Sequence, residues 1–385
     1  MPTAKLTTLT PVHVGGGQRL LRNFDFIVQD GLVGILDVEK VMNKIGIERL
    51  PQLTAEIEKK SVGDFLNRVL PNISPMDICS QVVKTKGHIT ASTGELKLHF
   101  RTPLKGPCIP GSSLKGSLRT SMTSYLTGEE RKNEAQQREL LRLADWENSR
   151  RLNFGKLDSE LFGNTANAKS TRFLIVGDIQ FTPEDAEVHE LSYINQLGDG
   201  EWKYESRKLQ LVECIRSGAS ASFQLKLNLE VAEAYRKKRT SLLAYNADDK
   251  TMAPLKDLSF FGHNIAGLLR NVNKQTQKLL QWDIDKLEGL NAEPDLIIAL
   301  TEIQEQVKAC TEGEAILRVG GHNGWHFMTG RWMMYKADVF TDEMVDTMMV
   351  AAQRNDRYLG HVFPKTRKIT DAGLPLGFVK IEIIG

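Results

Sequence analysis

The chain has 385 residues, of which 41% are hydrophobic and 25% are charged. These values are ordinary for a globular protein, and the length allows two domains that each bury their own core. No stretch approaches the roughly 20 apolar residues of a membrane-spanning helix, and the first residues lack the apolar segment of a signal peptide. We therefore expect a cytoplasmic protein with no membrane partner. The four cysteines form no Cys-x-x-Cys pair, which predicts reduced thiols and neither a metal site nor another cofactor.

Charge is distributed unevenly, although the net charge is only +2. Residues 101–120 hold four cations and no acid, and residues 354–368 hold five cations against one acid. Residues 184–205 hold seven acids against one lysine. Because a basic face binds phosphates by releasing counterions whatever the total charge, this pattern favours nucleic acid as a partner. The acidic segment faces either solvent or a protein partner.

The first 70 residues predict three strands and one helix from their hydrophobic periodicity. These elements are strands at residues 5–14, 24–28 and 32–36 and a helix at residues 54–70. Asp30 and Gly31 supply a hairpin turn between the second and third strands.

A run of three glycines follows the first strand. His13 precedes Gly15, Gly16 and Gly17, and we interpret these glycines as a turn that lets another backbone, such as an RNA strand, come close. The run is neither a P-loop nor a dinucleotide-binding fingerprint. A plain turn between two strands is the alternative interpretation.

The most informative segment is the start of a second helix at residues 113–127, which ends at Gly128. Ser112 or Ser113 stands where an N-cap belongs, and Lys115 and Arg119 are neighbours one turn apart on the predicted helix. Free backbone N–H groups, hydroxyls and adjacent cations together suit a phosphate. The alternative is an ordinary amphipathic helix with a solvated cationic face. Its apolar stripe comprises Leu114, Leu118, Met122 and Leu126.

The rest of the chain predicts an α+β fold, because strands and helices interleave without strict βαβ periodicity. The predicted elements are a charged surface helix at residues 129–151, an ordered loop at 157–171, helices at 255–280 and 294–310, and strands at 172–181, 209–215, 223–229, 315–319 and 378–384. The last two strands suggest a second, smaller sheet. We place a domain boundary near residues 245–253, between domains 1–245 and 246–385.

A third segment interleaves glycines with cations and aromatic rings. Its candidate residues are Arg318, Gly320, Gly321, His322, Trp325 and Arg331. Cations hold phosphates and flat rings stack on bases, so this composition fits single-stranded nucleic acid. His322 and His326 could instead form a metal-binding pair, but that spacing needs a helix and the neighbouring glycines disfavour one.

Three segments together resemble the RAMP superfamily of CRISPR-associated RNA-binding proteins. They are residues 9–15, 109–120 and 317–326. Within that superfamily, residues 363–367 and 375–378 and the whole length are similar to the fifth Csm subunit of type III-A effector complexes. The resemblance implies an α+β fold of two ferredoxin-like (RRM-related) modules with helical insertions, the first in domain 1–245 and the second in domain 246–385.

The resemblance also implies a function. A fifth Csm subunit is a non-catalytic crRNA-binding protein that caps the complex near the crRNA 3′ end, beside the third and second Csm subunits. It supports maturation of that end and antiviral defence, by protecting RNA or by recruiting host nucleases, and target RNA is a further implied partner. We therefore expect no catalytic residue, and RNA contacts from His13, Gly15, Gly16, Gly17, Ser112, Ser113, Lys115, Arg119, Arg318, Gly320, Gly321, His322, Trp325, Arg331 and Arg367.

Two other functions stay open at this point. An RNA-cleaving RAMP enzyme would use a histidine as general base near neutral pH, with His13 and either His322 or His326 as the pair. A carboxylate, Asp25 or Asp30, is a second route, although a turn already explains Asp30. A binding module outside CRISPR systems, for a nucleotide or a protein, is disfavoured by the missing nucleotide fingerprint and the several basic loops.

Overall fold

The computed structural model describes residues 3–90, 93–103, 106–128, 135–136, 139, 155–163, 169–196, 201–204, 209–245, 258–289, 292–324, 327–328 and 366–384. Their α-helices are α1 Val38–Ile45, α2 Leu50–Glu58, α3 Val62–Val69, α4 Pro75–Ile78, α5 Gly111–Thr127, α6 Gly155–Phe162, α7 Leu229–Tyr245, α8 Ile265–Gly289 and α9 Pro294–Lys308. Their strands are β1 Thr3–Thr8, β2 Gly15–Leu21, β3 Phe26–Gln29, β4 Leu32–Leu36, β5 Cys79–Lys86, β6 Glu95–His99, β7 Cys108–Ile109, β8 Leu174–Val176, β9 Ile179–Gln180, β10 Ala186–Gln196, β11 Trp202–Tyr204, β12 Gln210–Ile215, β13 Ser220–Leu227, β14 Glu314–Arg318, β15 Thr366–Ile369 and β16 Phe378–Ile384. None of these described helices combines the length and apolarity that crossing a membrane requires.

Two large sheets organise the fold. The five-stranded sheet has the order β14-β16-β1-β13-β8, and every neighbouring pair in it is antiparallel. The other sheet runs β2-β6-β12-β10-β5-β4-β3, with β11 and β15 also paired to β10. Two of its pairs, β6 with β12 and β5 with β10, are parallel. The predicted α+β class is confirmed, and a short β7-β9 pair leads into α5.

The main core lies between the five-stranded sheet and the helices α5 and α8. The predicted apolar stripe of α5 is confirmed, since Leu114, Leu118, Met122 and Leu126 are all buried. They belong to one cluster with Leu6 of β1. Burying each such side chain contributes roughly 1.5–3 kcal/mol, so this stripe fixes α5 on the sheet.

A second core covers one face of the other large sheet. Leu96 and Leu98 of β6 are buried in this core. Because successive side chains of a strand point to opposite faces, Glu95, Lys97 and His99 project from the other face. That alternation places Lys97 and His99 together on one side of β6.

The N-terminal strands agree with prediction only in part. The hairpin at Asp30 and Gly31 is confirmed, because these residues have φ angles of 51° and 74° between β3 and β4. The predicted strand over residues 5–14 is wrong beyond Thr8. Pro11 lacks the N–H that a ladder requires, and between Thr8 and Gly15 the chain contacts a sheet through a bridge from Val12 to β12.

The three glycines at residues 15–17 begin a strand, contrary to the predicted turn. They open β2, an exposed edge strand that pairs with β6 through an irregular register between Gly15 and Arg19. Gly17 has a φ of +83°, which a residue with a side chain rarely adopts. The glycines therefore form a bulged edge in place of a loop.

Two local predictions fail, one at a break in the backbone and one through burial in the main core. The predicted helix at residues 54–70 is two helices, α2 and α3, because Lys60 has a φ of 55° between them. The predicted loop at residues 157–171 begins within a helix, α6, whose Leu157 and Phe162 are buried in the main core. Most of the predicted helix at residues 129–151 lies outside the described residues.

The C-terminal strands do not form a second, smaller sheet. Strand β16 pairs directly with β1, and β14 pairs with β16, so strands from both sides of the predicted boundary share one sheet. Burial of Ile381 in the same cluster as Leu6 explains this arrangement. Most of residues 245–253 lies outside the described part of the chain, and the division into domains 1–245 and 246–385 stays a prediction.

Candidate RNA-binding site

Two glycine-rich segments, one near each end of the chain, meet at His13. The Gly321 N–H donates a hydrogen bond to the His13 carbonyl oxygen at 2.6 Å. Gly320 has a φ of +90°, and a Cβ on it would lie 2.3 Å from that same oxygen, so only glycine allows this approach. The pairing of β16 with both β1 and β14 brings the segments together. The structure thus joins the first and third segments that the sequence singles out.

Three histidine rings cluster at this junction. The His13 ring stacks on the His322 ring at a centroid distance of 5.8 Å and meets the His99 ring edge-on at 5.9 Å. His13 Nδ1 lies 2.7 Å from the Glu213 carbonyl oxygen and donates to it. His99 accepts a backbone N–H at Nδ1, so its Nε2 donates to the Cys108 carbonyl oxygen at 3.1 Å. These bonds fix the ring orientations.

Burial lowers the pKa of all three histidines. The pKa of His99 falls to about 3, and that of His322 falls to about 3, in each case chiefly because burial disfavours the charged ring. The pKa of His13 is lowered for the same first reason. All three rings are therefore neutral near pH 7. Within the described residues, no three His, Cys, Asp or Glu side chains are grouped to hold a metal ion.

Two lysines that were not among the predicted site residues lie beside the histidines. Lys368 Nζ donates to His322 Nδ1 at 3.0 Å and lies 4.7 Å from the centre of the Tyr193 ring. Lys97 is the ladder partner of Arg19 on the edge strand. Burial lowers the pKa of Lys97, and the charges of Lys368 and Arg19 lower it further. Lys97, Lys368 and Arg19 therefore add positive charge to this surface, and Glu95, which pairs with Arg19 at 3.2 Å, offsets part of it.

A sequence signal for one of these lysines exists. Residues 95–99 read Glu-Leu-Lys-Leu-His, a strict alternation that predicts a strand with Lys97 and His99 on its polar face. Lys368 has only the weaker signal of belonging to the basic segment 354–368. Its position beside His322 depends on the pairing of β15 with β10, which no local pattern predicts.

The exposed start of β2 completes the junction. Gly15, Gly16 and Gly17 are solvent-exposed, and Gly15 is the ladder partner of His99. A Cβ on Gly15 would lie 3.3 Å from His13 Nε2. An exposed strand edge of small residues lets another backbone approach closely. We call the set formed by His13, Gly15, Gly16, Gly17, Lys97, His99, Gly320, Gly321, His322 and Lys368 the glycine–histidine junction.

A buried carboxylate supports the junction from behind. Glu213 of β12 is fully buried and accepts hydrogen bonds from the His99 N–H at 3.0 Å and from Gln81 Nε2 at 2.9 Å. Arg101 Nη2 donates to the same carboxylate and forms an ion pair with it. Glu213 thus orients the His13 ring through its carbonyl oxygen and holds the His99 backbone through its carboxylate.

The start of α5 differs from the prediction. Its N-cap is Pro110, and no side chain caps the helix, so neither Ser112 nor Ser113 has the predicted capping role. The Gly111 N–H instead donates to Asp178 Oδ1 at 2.7 Å. A carboxylate of the protein thus occupies part of the place where a phosphate is predicted, and favours the positive end of the helix as any anion does. Ser112 is exposed, whereas Ser113 is half-buried.

The two cations of α5 face different surroundings. Arg119 Nε lies 3.4 Å from Asp158 Oδ1 of α6, and Lys169 shares the same carboxylate at 3.5 Å. Lys115 is half-buried, and burial, followed by the nearby charge of Arg119, lowers its pKa. The helix still presents positive charge, but Asp158 offsets part of it.

The two arginines predicted to extend the RNA path are engaged within the protein. Arg318 is buried, donates from Nε to the Leu376 carbonyl oxygen at 2.7 Å, and lies over the Phe378 ring at 4.9 Å. Arg367 Nη2 binds Asp283 Oδ1 at 2.8 Å in a largely buried ion pair. Burial lowers the pKa of Arg318 to about 10, which keeps it charged at neutral pH.

Three residues named in the sequence analysis cannot be placed. Trp325, His326 and Arg331 lie outside the described residues, so neither the stacking role nor the metal pair of His322 with His326 receives a structural account. RNA contact by each of the other site residues stays a prediction.

Comparison with known proteins gives a family and a fold. The family model described as "RAMP superfamily" matches residues 5–274, whereas no curated protein sequence matches the chain. A chain in a cryo-EM structure of a Csm–crRNA–target RNA ternary complex of a type III-A CRISPR-Cas system is similar, with 17% identity and a TM-score of 0.67. The match covers 99% of this chain and 100% of that one.

The crystal structure of T. onnurineus Csm5 is also similar, with 17% identity and a TM-score of 0.62. That match covers 97% of this chain and 99% of the other. At such identities the likeness shows a shared fold over the whole length. The family match spans well over half of the sequence and includes the glycine edge at residues 15–17 and the start of α5. The chain belongs to the RAMP superfamily.

Proposed function

We propose that this protein is a non-catalytic crRNA-binding subunit of a type III-A Csm effector complex, equivalent to the fifth Csm subunit. The observation that carries the proposal is the glycine–histidine junction, where two segments with RAMP resemblance meet beside Lys97 and Lys368. The full-length similarity to a chain of a Csm–crRNA–target RNA complex supports it. A cytoplasmic protein of this kind would serve antiviral defence.

The topology supports at least one ferredoxin-like module. Along the chain, β1, α5, β8, β13, α8 and β16 follow the order βαββαβ, which is the ferredoxin-like order. In the sheet, the four strands lie as β16-β1-β13-β8, with β14 added outside β16. Long insertions follow β1 and β8, and they contribute most of the second large sheet. We keep the second ferredoxin-like module as part of the proposal.

RNA would bind this junction through its backbone. The exposed glycines of β2 let the strand approach, while Lys97 and Lys368 neutralise phosphates. Such contacts hold a strand in place without reading its sequence, as a subunit that accepts varied guides requires. Arg318 and Arg367, which are already engaged within the protein, would hold the loop at residues 320–324 and strand β15 in position.

The histidines fit a binding role better than a catalytic one. A general base works best when its pKa lies near the working pH. Burial instead lowers the pKa of His99 and of His322 to about 3. Asp25 accepts a hydrogen bond from the Leu21 N–H at 2.8 Å, and Asp30 forms the hairpin turn. These arrangements favour the scaffold over the alternative of a RAMP endoribonuclease.

The place in the complex is part of the same proposal. The subunit would cap the backbone near the crRNA 3′ end, next to the third and second Csm subunits, and would also lie near target RNA. Maturation of the 3′ end would follow either from protection of the RNA or from recruitment of host nucleases. A pull-down of the tagged chain with each Csm subunit, with and without crRNA, tests these neighbours.

One titration separates the scaffold from the enzyme. Labelled crRNA-like RNA is mixed with the protein in magnesium and separately in EDTA, and each sample is run on native and denaturing gels. We expect a salt-sensitive shift with intact RNA. Shorter products that disappear in the His13→Ala variant would establish the endoribonuclease instead. If no RNA binds either alone or with the third Csm subunit present, the proposed function is wrong.

A further inference from the structure

A cavity of about 520 Å³ lies directly behind the glycine–histidine junction. Gly320, Gly321, His322 and Lys368 belong to the junction and also line this cavity. Its size is in the range of about 300–1,000 Å³ that small-molecule sites occupy. A strand held at the junction would therefore pass the wall of a space large enough for one nucleotide.

The cavity wall offers an aromatic ring for stacking. Phe327 lines the cavity and is only partly buried. The Arg318 guanidinium lies 5.2 Å from the centre of its ring, and the Phe378 ring meets it edge-on at 5.5 Å. These contacts hold the ring in place, and Leu296 and Leu300 make another part of the wall apolar.

We propose that this cavity accepts one unstacked base of the bound RNA, whatever its identity, with Phe327 stacking on the base. The proposal rests on the proposed function, because it takes the ligand to be the RNA that lies along the junction. Unstacked bases held against aromatic rings and bound at their edges are a common mode of single-strand recognition.

The test uses free nucleotides, so that it does not depend on RNA binding. Saturation-transfer NMR of the whole chain with CMP and, separately, with UMP reports which ligand protons contact the protein. We expect the base protons of both nucleotides to receive the strongest transfer, because stacking on an aromatic ring is available to either base. Phe327→Leu should weaken CMP binding about fivefold or more, while Phe327→Tyr should retain it.

One further variant guards against misfolding. Met328→Trp changes an exposed residue of the wall and should reduce binding of both nucleotides. An absence of transfer to either nucleotide, or equal transfer to wild type and Phe327→Leu, would overturn the inference.

The same samples separate this inference from the proposed function. If labelled RNA still binds with salt sensitivity when no nucleotide enters the cavity, only the base site is wrong. If CMP binds as expected but no RNA binds, the cavity is a nucleotide site and the proposed function is wrong. RNA carrying 2-aminopurine at successive positions then checks the base site in place, since one position should brighten in wild type and not in Phe327→Leu.

Discussion

Replacing Lys97 and Lys368 together tests whether the glycine–histidine junction binds the RNA backbone. Methionine is the suitable replacement, because it keeps the apolar stem that each lysine packs against the protein. Both side chains are partly buried, and burial lowers the pKa of each. The Lys368 ammonium also contacts His322 and the Tyr193 ring, so folding of the variant is checked by thermal unfolding.

The expected magnitude follows from counterion release. For a single strand, each neutralised phosphate contributes about 0.7 to the slope of log K against log salt. Loss of two contacts should therefore flatten the slope by about 1.4. Between 50 and 200 mM salt, wild-type affinity should fall about sevenfold more than the affinity of the variant.

Fluorescence anisotropy with labelled crRNA-like RNA at several salt concentrations measures this slope. Lys308→Met is the matched control, because Lys308 is an exposed lysine at the end of α9 that pairs with Glu305 at 2.7 Å. The control should keep the wild-type slope. A folded Lys97→Met/Lys368→Met variant with an unchanged slope would refute the placement of RNA on this junction.

Three further predictions concern the second basic site and the support of the junction. Asp158→Asn removes the carboxylate that offsets Arg119, so RNA affinity should rise and its salt slope should steepen; an unchanged slope would remove α5 from the RNA path. Gly320→Ala should cost about 1–3 kcal/mol of stability in urea unfolding, since its Cβ would meet a backbone oxygen at 2.3 Å in a φ region that strains alanine. Gly16→Ala, with no atom closer than 3.4 Å, should cost much less, and equal losses would contradict this reasoning. The pKa of His99 is about 3 in the folded chain and near 6.5 in the unfolded chain. As pH drops, the unfolded chain therefore binds the proton first. The free energy of unfolding then falls between about pH 6.5 and about pH 3. That loss approaches about 1.4 kcal/mol per pH unit, and His99→Gln should show a smaller difference in urea midpoint between pH 7 and pH 5 than wild type.

Local periodicity predicted the elements that a short sequence pattern defines, namely a helix with one buried face and a tight turn. The α5 stripe could be predicted because four apolar residues recur at helical spacing. Each of them is buried in the structure. The β3–β4 hairpin could be predicted because Asp30 and Gly31 tolerate a positive φ. The pairing of β1 with β16 could not be read in the same way, since any two strands of alternating pattern are compatible partners. Only the complete core selects that register.

The candidate site also combines residues that the local sequence identifies with contacts that depend on distant parts of the chain. Gly320 was predicted as an RNA contact, but its close approach to the His13 oxygen follows from sheet pairing between the two ends of the chain. Occupation of the α5 N-terminus by Asp178 depends on a contact across 67 positions. The local sequence predicted a capping serine at this helix start, but the Asp178 carboxylate accepts the Gly111 N–H instead.

The difference between the arginines and the lysines of the site has a physical cause. Arg318 is buried with a carbonyl acceptor and two aromatic rings, and Arg367 pairs with buried Asp283. Moving either guanidinium to meet a phosphate would leave buried partners unsatisfied, which is costly. Among the described residues, neither lysine is held in an ion pair of this kind: burial first, and then the charges of Lys368 and Arg19, lower the pKa of Lys97, and burial lowers that of Lys368, so an arriving phosphate stabilises both charges. Binding energy should therefore come from the lysines, while the arginines determine where the loop and strand β15 present them.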